Sequence, residues 1–378
     1  MRMLLGALAL AATFVHADSR AGQVQTLYAS PAHQTIAAFA QDDGLVAWFA
    51  PGKSPACNAV WVWQIGAAKQ HLPAQGGTYH NVTCNWQIPA GSPVGLAVAG
   101  NNGSPALLWT LRESAAQSLR FDYVLGATVA DPNERRFQEV THANHGDGLW
   151  LSGLAGSGST LLYSVTQVEY KDQVACLSTP KLPGACALKI TGGGVYRVVG
   201  RKPPTLIKGA PPSVAIAISG SNVACIPAVG TSPADGHPVA AADNPIEIHD
   251  VATGSLVTSI TPSGTPLAIA LSDTTLAVLD KPATGTSLDL SWYDLSAGTQ
   301  LGSVSVPAQT TAALALAGTD LVFRVGKSIR TVDLTSQAVK TVATASATPI
   351  GLSASGSRVA WAENVNGRGY IRAVTLTP

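Results

Sequence analysis

One short apolar phrase recurs along this chain and limits what it can fold into. It reads IAAFA at Ile36–Ala40, VGLAVAG at Val94–Gly100, LWLSGLAG at Leu149–Gly156 and VAIAISG at Val214–Gly220. It returns as LAIALS at Leu267–Ser272, AALALAG at Ala312–Gly318 and IGLSASG at Ile350–Gly356. A turn and a second apolar strand follow, as in Leu45–Phe49, Val223–Pro227, Leu321–Val325 and Arg358–Ala362. Successive starts near 36, 94, 150, 214, 267, 312 and 350 leave gaps of 58, 56, 64, 53, 45 and 38 residues. A repeat of about 40–50 residues built only from strands is the signature of propeller blades, each burying its faces against its neighbours.

Composition supports one large repeat array. With 46% hydrophobic and 12% charged residues among 378, the chain can bury a sizeable core and is too apolar for disorder. The formal net charge of +1 supplies no field for a polyanion, and no Lys/Arg run interleaved with aromatics occurs, so nucleic-acid binding is not expected. No later apolar run suggests membrane insertion.

Within each repeat the pattern reads as four strands, innermost to outermost. In the sixth these are AALALAG, LVFRV, SIRTVDL and AVKTVA. The third strands end on Asp250, Asp294 and Asp333, and an Asp followed by small residues or Gly caps the turn amides leading outward. The pattern resembles secreted bacterial seven-bladed β-propellers of the TolB-like or WD-repeat-like type, although no Trp-Asp dipeptide is present. That resemblance spans nearly the whole mature chain and implies a fold, with no catalytic residue attached.

The last repeat ends at Pro378 before an outer strand can form. Gln23–Trp48 lines up with Ala338–Trp361, which puts Val24–Ala29 where an outer strand belongs. The expected fold is therefore all-β, a seven-bladed propeller closed by an N-terminal strand joining the last blade, so that no edge is left bare. Six or eight blades follow if the irregular second or third repeat divides differently.

The N-terminus reads as a secretory signal, residues 1–17. Arg2 is the basic start, Leu4–Val15 the apolar stretch, and Val15-His16-Ala17 the small-residue cleavage pattern. Residues 18–378 then form one propeller domain, a monomer that is secreted or periplasmic. Cysteine usage agrees with export. Cys176 and Cys186 enclose a Pro/Gly-containing loop suited to a disulfide, and Cys57 with Cys84 could bridge a strand pair. Cys225 lies inside the strand VACIP and reads as a buried structural thiol.

None of the seven inner phrases contains an acid, a base or a cysteine, so chemistry on the channel wall is not expected. The face shared by the outer-to-inner and second-to-third connections is richer. The stretch EVTHANHGDG carries Glu139, His142, His145 and Asp147, and reads as a polar loop entering the third repeat. His33 belongs to the equivalent connection of the first repeat. Insertions enlarge the same face, from about Glu169 to Gly194 in the third repeat and Val229–Asn244 in the fourth. The second insertion brings Asp235, His237 and Asp243. Binding is accordingly expected at His33, His142, His145, Asp235, His237 and Asp243, with no cofactor and no metal.

No GxSxG elbow, HExxH, P-loop or dinucleotide fingerprint occurs in its required context. Asn81 and Asn102 match the N-glycosylation pattern, informative only in a host that glycosylates. Trp48, Trp61, Trp63 and Trp361 occupy strand positions and read as packing between blades. Two functions remain. The favoured one is a non-enzymatic binding or scaffold propeller presenting the third- and fourth-repeat loops to a protein or glycan partner. The alternative is a propeller-type polysaccharide lyase or hydrolase, with His142 or His145 as base and Glu139 or Asp147 orienting it.

Overall fold

The computed structural model describes residues 22–51, 58–67, 95–100, 106–114, 119–128, 135–143, 146–178 and 186–377. Among the described residues the structure is all-β apart from one short helix, and its sheets are arranged as a propeller. Among the described residues six sheets have three or more strands. After β1 (Gln25–Ala29), the first sheet holds β2 (Ala38–Asp42), β3 (Leu45–Pro51) and β4 (Asn58–Gln64).

The second sheet has eight strands in chain order. They are β5 (Leu96–Ala99), β6 (Ala106–Ser114), β7 (Leu119–Thr128) and β8 (Arg135–Ala143), then β9 (Gly148–Ser157), β10 (Thr160–Tyr170), β11 (Leu188–Val198) and β12 (Thr205–Leu206). Its two halves meet through a single pair, His142 opposite Gly148, where every other neighbouring pair forms a longer ladder. Helix α1 (Gln173–Ser178) lies between β10 and β11.

Three sheets follow with four strands each. One is β13 (Ser213–Ser219), β14 (Asn222–Pro227), β17 (Ile246–Asp250) and β18 (Leu256–Ile260), interrupted by the small hairpin β15 (Gly230–Thr231) and β16 (Pro238–Val239). The next is β19 (Thr265–Leu271), β20 (Thr275–Lys281), β21 (Leu288–Asp294) and β22 (Gln300–Val306). The third is β23 (Thr310–Ala317), β24 (Asp320–Val325), β25 (Ser328–Asp333) and β26 (Val339–Thr344). The last sheet holds β27 (Ile350–Ser355), β28 (Arg358–Val365) and β29 (Arg368–Thr375), and β1 pairs antiparallel with the outer side of β29.

The cores lie between sheets, where second strands such as β14 and β20 are buried on both faces. Leu279, Leu290 and Trp292 pack on Leu321, Phe323 and Val332 of the next sheet. Val46 and Trp48 of the first sheet share a cluster with Ala360, Ala362 and Ile371 of the last. The same seam is stitched by Asn364, whose Oδ1 accepts from Ile36 N at 2.8 Å while its Nδ2 donates to Ile36 O at 2.9 Å. Trp48 and Trp361 are fully buried, as their strand positions imply, and truncating either to Ala costs about 3–5 kcal/mol. Trp61 and Trp63 stand on β4, half-buried but packed against that same cluster between the first and last sheets, Trp61 stacked on Trp48 with ring centroids 6.3 Å apart.

The third-strand aspartates cap their turns. Asp250 Oδ1 accepts from Ala252 N and Thr253 N, Asp294 Oδ1 from Ser296 N and Ala297 N, and Asp333 Oδ1 from Thr335 N and Ser336 N. Cys176 and Cys186 are disulfide-bonded across the α1 loop. Cys225 is fully buried and its thiol is pushed up to about 12, chiefly by burial. Cys57, Cys84, Asn81, Asn102 and residues 1–17 lie outside the described residues.

Candidate functional site: a rim between two insertions and an acidic channel mouth

The stretch read from sequence as a polar loop is largely strand. Glu139 and His142 belong to β8, where alternation sends them to different surroundings. Glu139 is exposed and pairs with Arg136 three residues back. His142 is only 2% exposed and lies flat on Trp150, with ring centroids 3.8 Å apart at 17°. The expectation of a solvated histidine here is corrected: β8 continues further than its polar composition suggested, and Trp150 at the start of β9 covers the ring.

The short connection between β8 and β9 is tightly held. Ala143 N donates to Asp147 O at 2.8 Å, Gly146 N to Ala143 O at 2.9 Å, and the Trp150 indole Nε1 to Gly146 O at 2.7 Å. Gly146, at φ +108°, is where this connection meets the insertion of the fourth repeat. A Cβ there would sit 2.6 Å from Gly236 Cα and 2.8 Å from Asp235 O, so only glycine permits the approach. Burial, with the Asp147 carboxylate second, raises the Tyr170 hydroxyl above its usual value.

The fourth-repeat insertion forms the β15–β16 hairpin, and its tip is ordered by its own polar groups. Ser232 N donates to His237 O at 2.8 Å, and Gly236 N to Ser232 O at 2.9 Å. His237 Nδ1 donates to Asp235 Oδ1 at 2.5 Å, and this bond is the main reason the Asp235 carboxyl is held below the usual carboxylate range. The His237 ring also stands edge-on to Trp150, with centroids 6.4 Å apart. His142, Trp150, His237 and Asp235 thus form one continuous stack that passes from buried to exposed. His33 and Asp243 are exposed in left-handed turns, at φ 64° and 59°, and no described contact joins them to that stack. His145 lies outside the described residues. Among the described residues no group of three or more His, Cys, Asp or Glu is placed to hold a metal ion.

The opposite end of the channel holds residues that the inner phrases did not include. β2 runs two residues past IAAFA, bringing Gln41 and Asp42 onto the innermost strand. The channel is therefore not lined by apolar and small residues alone, and the expectation from the seven phrases is corrected at this strand. Asp42 Oδ2 accepts from Gly100 N at 2.8 Å and Gly158 N at 2.9 Å, joining three strand turns around the ring. Burial raises its carboxyl above the usual range against the pull of those two amides. Asp42 lines a cavity of about 450 Å³ with Asp43, Ser157, Ser219, Asp273 and Ser355, among others. A sequence signal existed: DDG directly after IAAFAQ, and SDT directly after LAIAL, put carboxylates on inner-to-second turns.

This closed set of sheets around a channel defines the class as a β-propeller. No known family profile matches the chain, and no curated protein matches it. Among solved structures the chain is similar to an oligogalacturonate lyase from Vibrio parahaemolyticus, with TM-score 0.54 and 8% identity over 94% of this chain and 93% of that one. It is also similar to an oligogalacturonate lyase in complex with manganese, with TM-score 0.51 and 10% identity over 95% and 98%. At these identities the likeness is one of fold.

Proposed function

We propose that the chain is an exported non-enzymatic binding or scaffold propeller, presenting loops of its third and fourth repeats to a protein or glycan partner. The carrying observation is the packing of Gly146 against Gly236 and Asp235 O, which fixes two loops from different repeats into one surface. A surface ordered before binding loses less entropy on association than two independent loops would. The exposed part is the His237–Asp235 pair, backed by Trp150, a combination of charge and aromatic suited to a polar partner.

The propeller has seven blades in this reading. The eight-stranded sheet is two blades joined at the single His142–Gly148 pair, and β1 closes the ring as the outer strand of the last blade. It is of the TolB-like or WD-repeat-like type and acts as a monomer. The signal at residues 1–17 directs it out of the cytoplasm, in keeping with the Cys176–Cys186 disulfide. Among the described residues no helix is long and apolar enough to cross a membrane.

The alternative, a propeller-type polysaccharide lyase or hydrolase, is compatible with the fold shared with the two lyases. The burial of His142 beneath Trp150 argues against it, since a general base must reach the proton it removes. Replacing Val229–Asn244 by a four-residue turn tests the proposal. The shortened protein should keep its melting temperature within a few degrees and lose capture in glycan and protein screens that the full chain passes. Undiminished capture places the site elsewhere. Accumulation of unsaturated oligogalacturonate, followed by ultraviolet absorbance, would overturn the non-enzymatic reading.

A further inference from the structure

The net charge of +1 conceals a segregation within the ring. Residues 310–378 hold seven Lys or Arg against three Asp or Glu. Two of those acids, Asp320 and Asp333, stand opposite each other on β24 and β25, at the end of the ring that also holds Asp42. The other end carries Arg324, Lys327, Arg368 and Arg372 with one carboxylate, Glu363.

Hydrogen bonds join these groups into one surface across the last two sheets. Lys327 Nζ donates to Ser346 O at 2.8 Å, Ser346 N to Glu363 Oε2 at 2.8 Å, and Arg372 Nε to Glu363 Oε1 at 2.9 Å. Arg324 Nη1 donates to Pro349 O of the same connection, and Arg324 Nε to Thr311 Oγ1 at 3.0 Å. Arg368 and Arg372 share one face of β29, their guanidiniums 5.5 Å and 4.5 Å from the centre of the Tyr370 ring between them.

This positive charge is not answered from within the fold. Glu363 is buried, and both its oxygens are engaged. No ion pair among the described residues uses Arg324, Lys327 or Arg368. Arg324 is half-buried, and burial lowers its guanidinium from the usual value with no carboxylate to offset the effect. Of the five N–H donors of a guanidinium, Arg324 uses two and Arg368 one, the latter for Ser30 O. The donors left over form planar forks of the kind that oxyanions match.

We propose that this end of the last two sheets binds an acidic polysaccharide, its carboxylates or sulfates resting on Arg324, Lys327, Arg368 and Arg372. The cations run from the second strand of one sheet to the outermost strand of the next, where Arg372 Nη1 donates to Thr26 Oγ1. That span suits an extended polymer better than one small anion. Exposed Ser346 and Thr348 add hydroxyls that pair with those of a sugar. A protein partner would need apolar anchors. The exposed large hydrophobics described on these two sheets, Val24 and Val339, both lie at the opposite end. This surface is separate from the Trp150 rim and does not depend on the function proposed for that rim.

The test is calorimetric titration of the full chain with dextran sulfate, carboxymethyl dextran and unmodified dextran, in about 20 mM salt so that exposed charges are little screened. Both charged dextrans should bind and unmodified dextran should not. The double variant Lys327→Gln with Arg368→Gln should lose about tenfold or more in affinity for the charged dextrans. Lys202→Gln with Lys340→Gln removes the same net charge from exposed positions elsewhere, and should keep the affinity within a factor of about two. Lys327→Gln alone, in an exposed turn, leaves the Arg368 bond to Ser30 in place and should weaken binding at an unchanged melting temperature. Four results would each overturn the proposal: no binding of either charged dextran, equal binding of unmodified dextran, an equal loss in the Lys202/Lys340 variant, or full affinity in Lys327→Gln. Poly-L-glutamate binding as tightly as the charged dextrans would overturn it in favour of an acidic peptide.

Discussion

Asp280 should be held at a cost that grows with pH, and replacing it should make the protein more stable above neutrality. The residue stands on β20, fully buried, opposite Asp289 on β21. Among the described residues its carboxylate accepts one hydrogen bond, from the Ser263 hydroxyl to Oδ2 at 3.2 Å, and Oδ1 has no partner. The equivalent acid of the last sheet shows what is missing. LAVLD at Leu276–Asp280 lines up with VAWAE at Val359–Glu363. There Glu363, one methylene longer, accepts from Ser346 N at 2.8 Å, Ala347 N at 3.2 Å and Arg372 Nε at 2.9 Å.

Burial, assisted by the Asp289 carboxylate and opposed by the Ser263 bond, pushes Asp280 up from 3.8 to about 6. A folded pKa above the unfolded one means that the folded state binds more protons between those values. Stability is therefore full below about pH 4 and falls as pH rises through 6. The difference amounts to about 3 kcal/mol, or about 4 °C in Tm for a domain of this size. Asp280→Asn cannot ionise, and its side-chain carbonyl can still accept from Ser263. Thermal melts from about pH 4 to pH 8 should show the variant and wild type together at the acid end. They should separate through pH 6, with the variant higher by about 4 °C at the alkaline end. A difference that does not change with pH, or a variant less stable at pH 8, would refute the reasoning.

Two other outcomes are expected. Deleting residues 18–30 removes β1, with it the ring of Tyr28 that rests 4.6 Å from Trp48 and the Ser30 hydroxyl that accepts from Gly369 N at 2.9 Å. Melting temperature should fall by several degrees, and an unchanged transition would show that β1 contributes nothing to the last sheet. Mass mapping of unreduced protein should recover a peptide linked through Cys176 and Cys186, and the double serine variant should lose stability at the low end of the usual range of about 2–4 kcal/mol, because the enclosed loop is short. Free thiols at both positions would contradict the bridge.

The fold was legible because its signal is repeated. An apolar inner strand, a turn and a second strand recur with small residues where strands converge, and each copy corroborates the others. The third-strand aspartates were readable for the same reason: Asp250, Asp294 and Asp333 each precede small polar residues that supply the turn amides. Sites are single events, and there the reading was weaker. His142 carries the composition of a loop, yet its burial is decided by Trp150, eight residues on, and by where β8 ends. Gln41 and Asp42 escaped because an apolar phrase ends where hydrophobicity ends, whereas a strand ends where its ladder ends, here at Asp42 opposite Leu45. A strand whose last residues are polar carries them to the turn end of the channel, here Asp42 onto the cavity and Gln41 against Ser353 of the last sheet. In a propeller the ends of the inner strands are therefore the positions where the hydrophobic repeat stops being informative and recognition chemistry can be placed without disturbing the core.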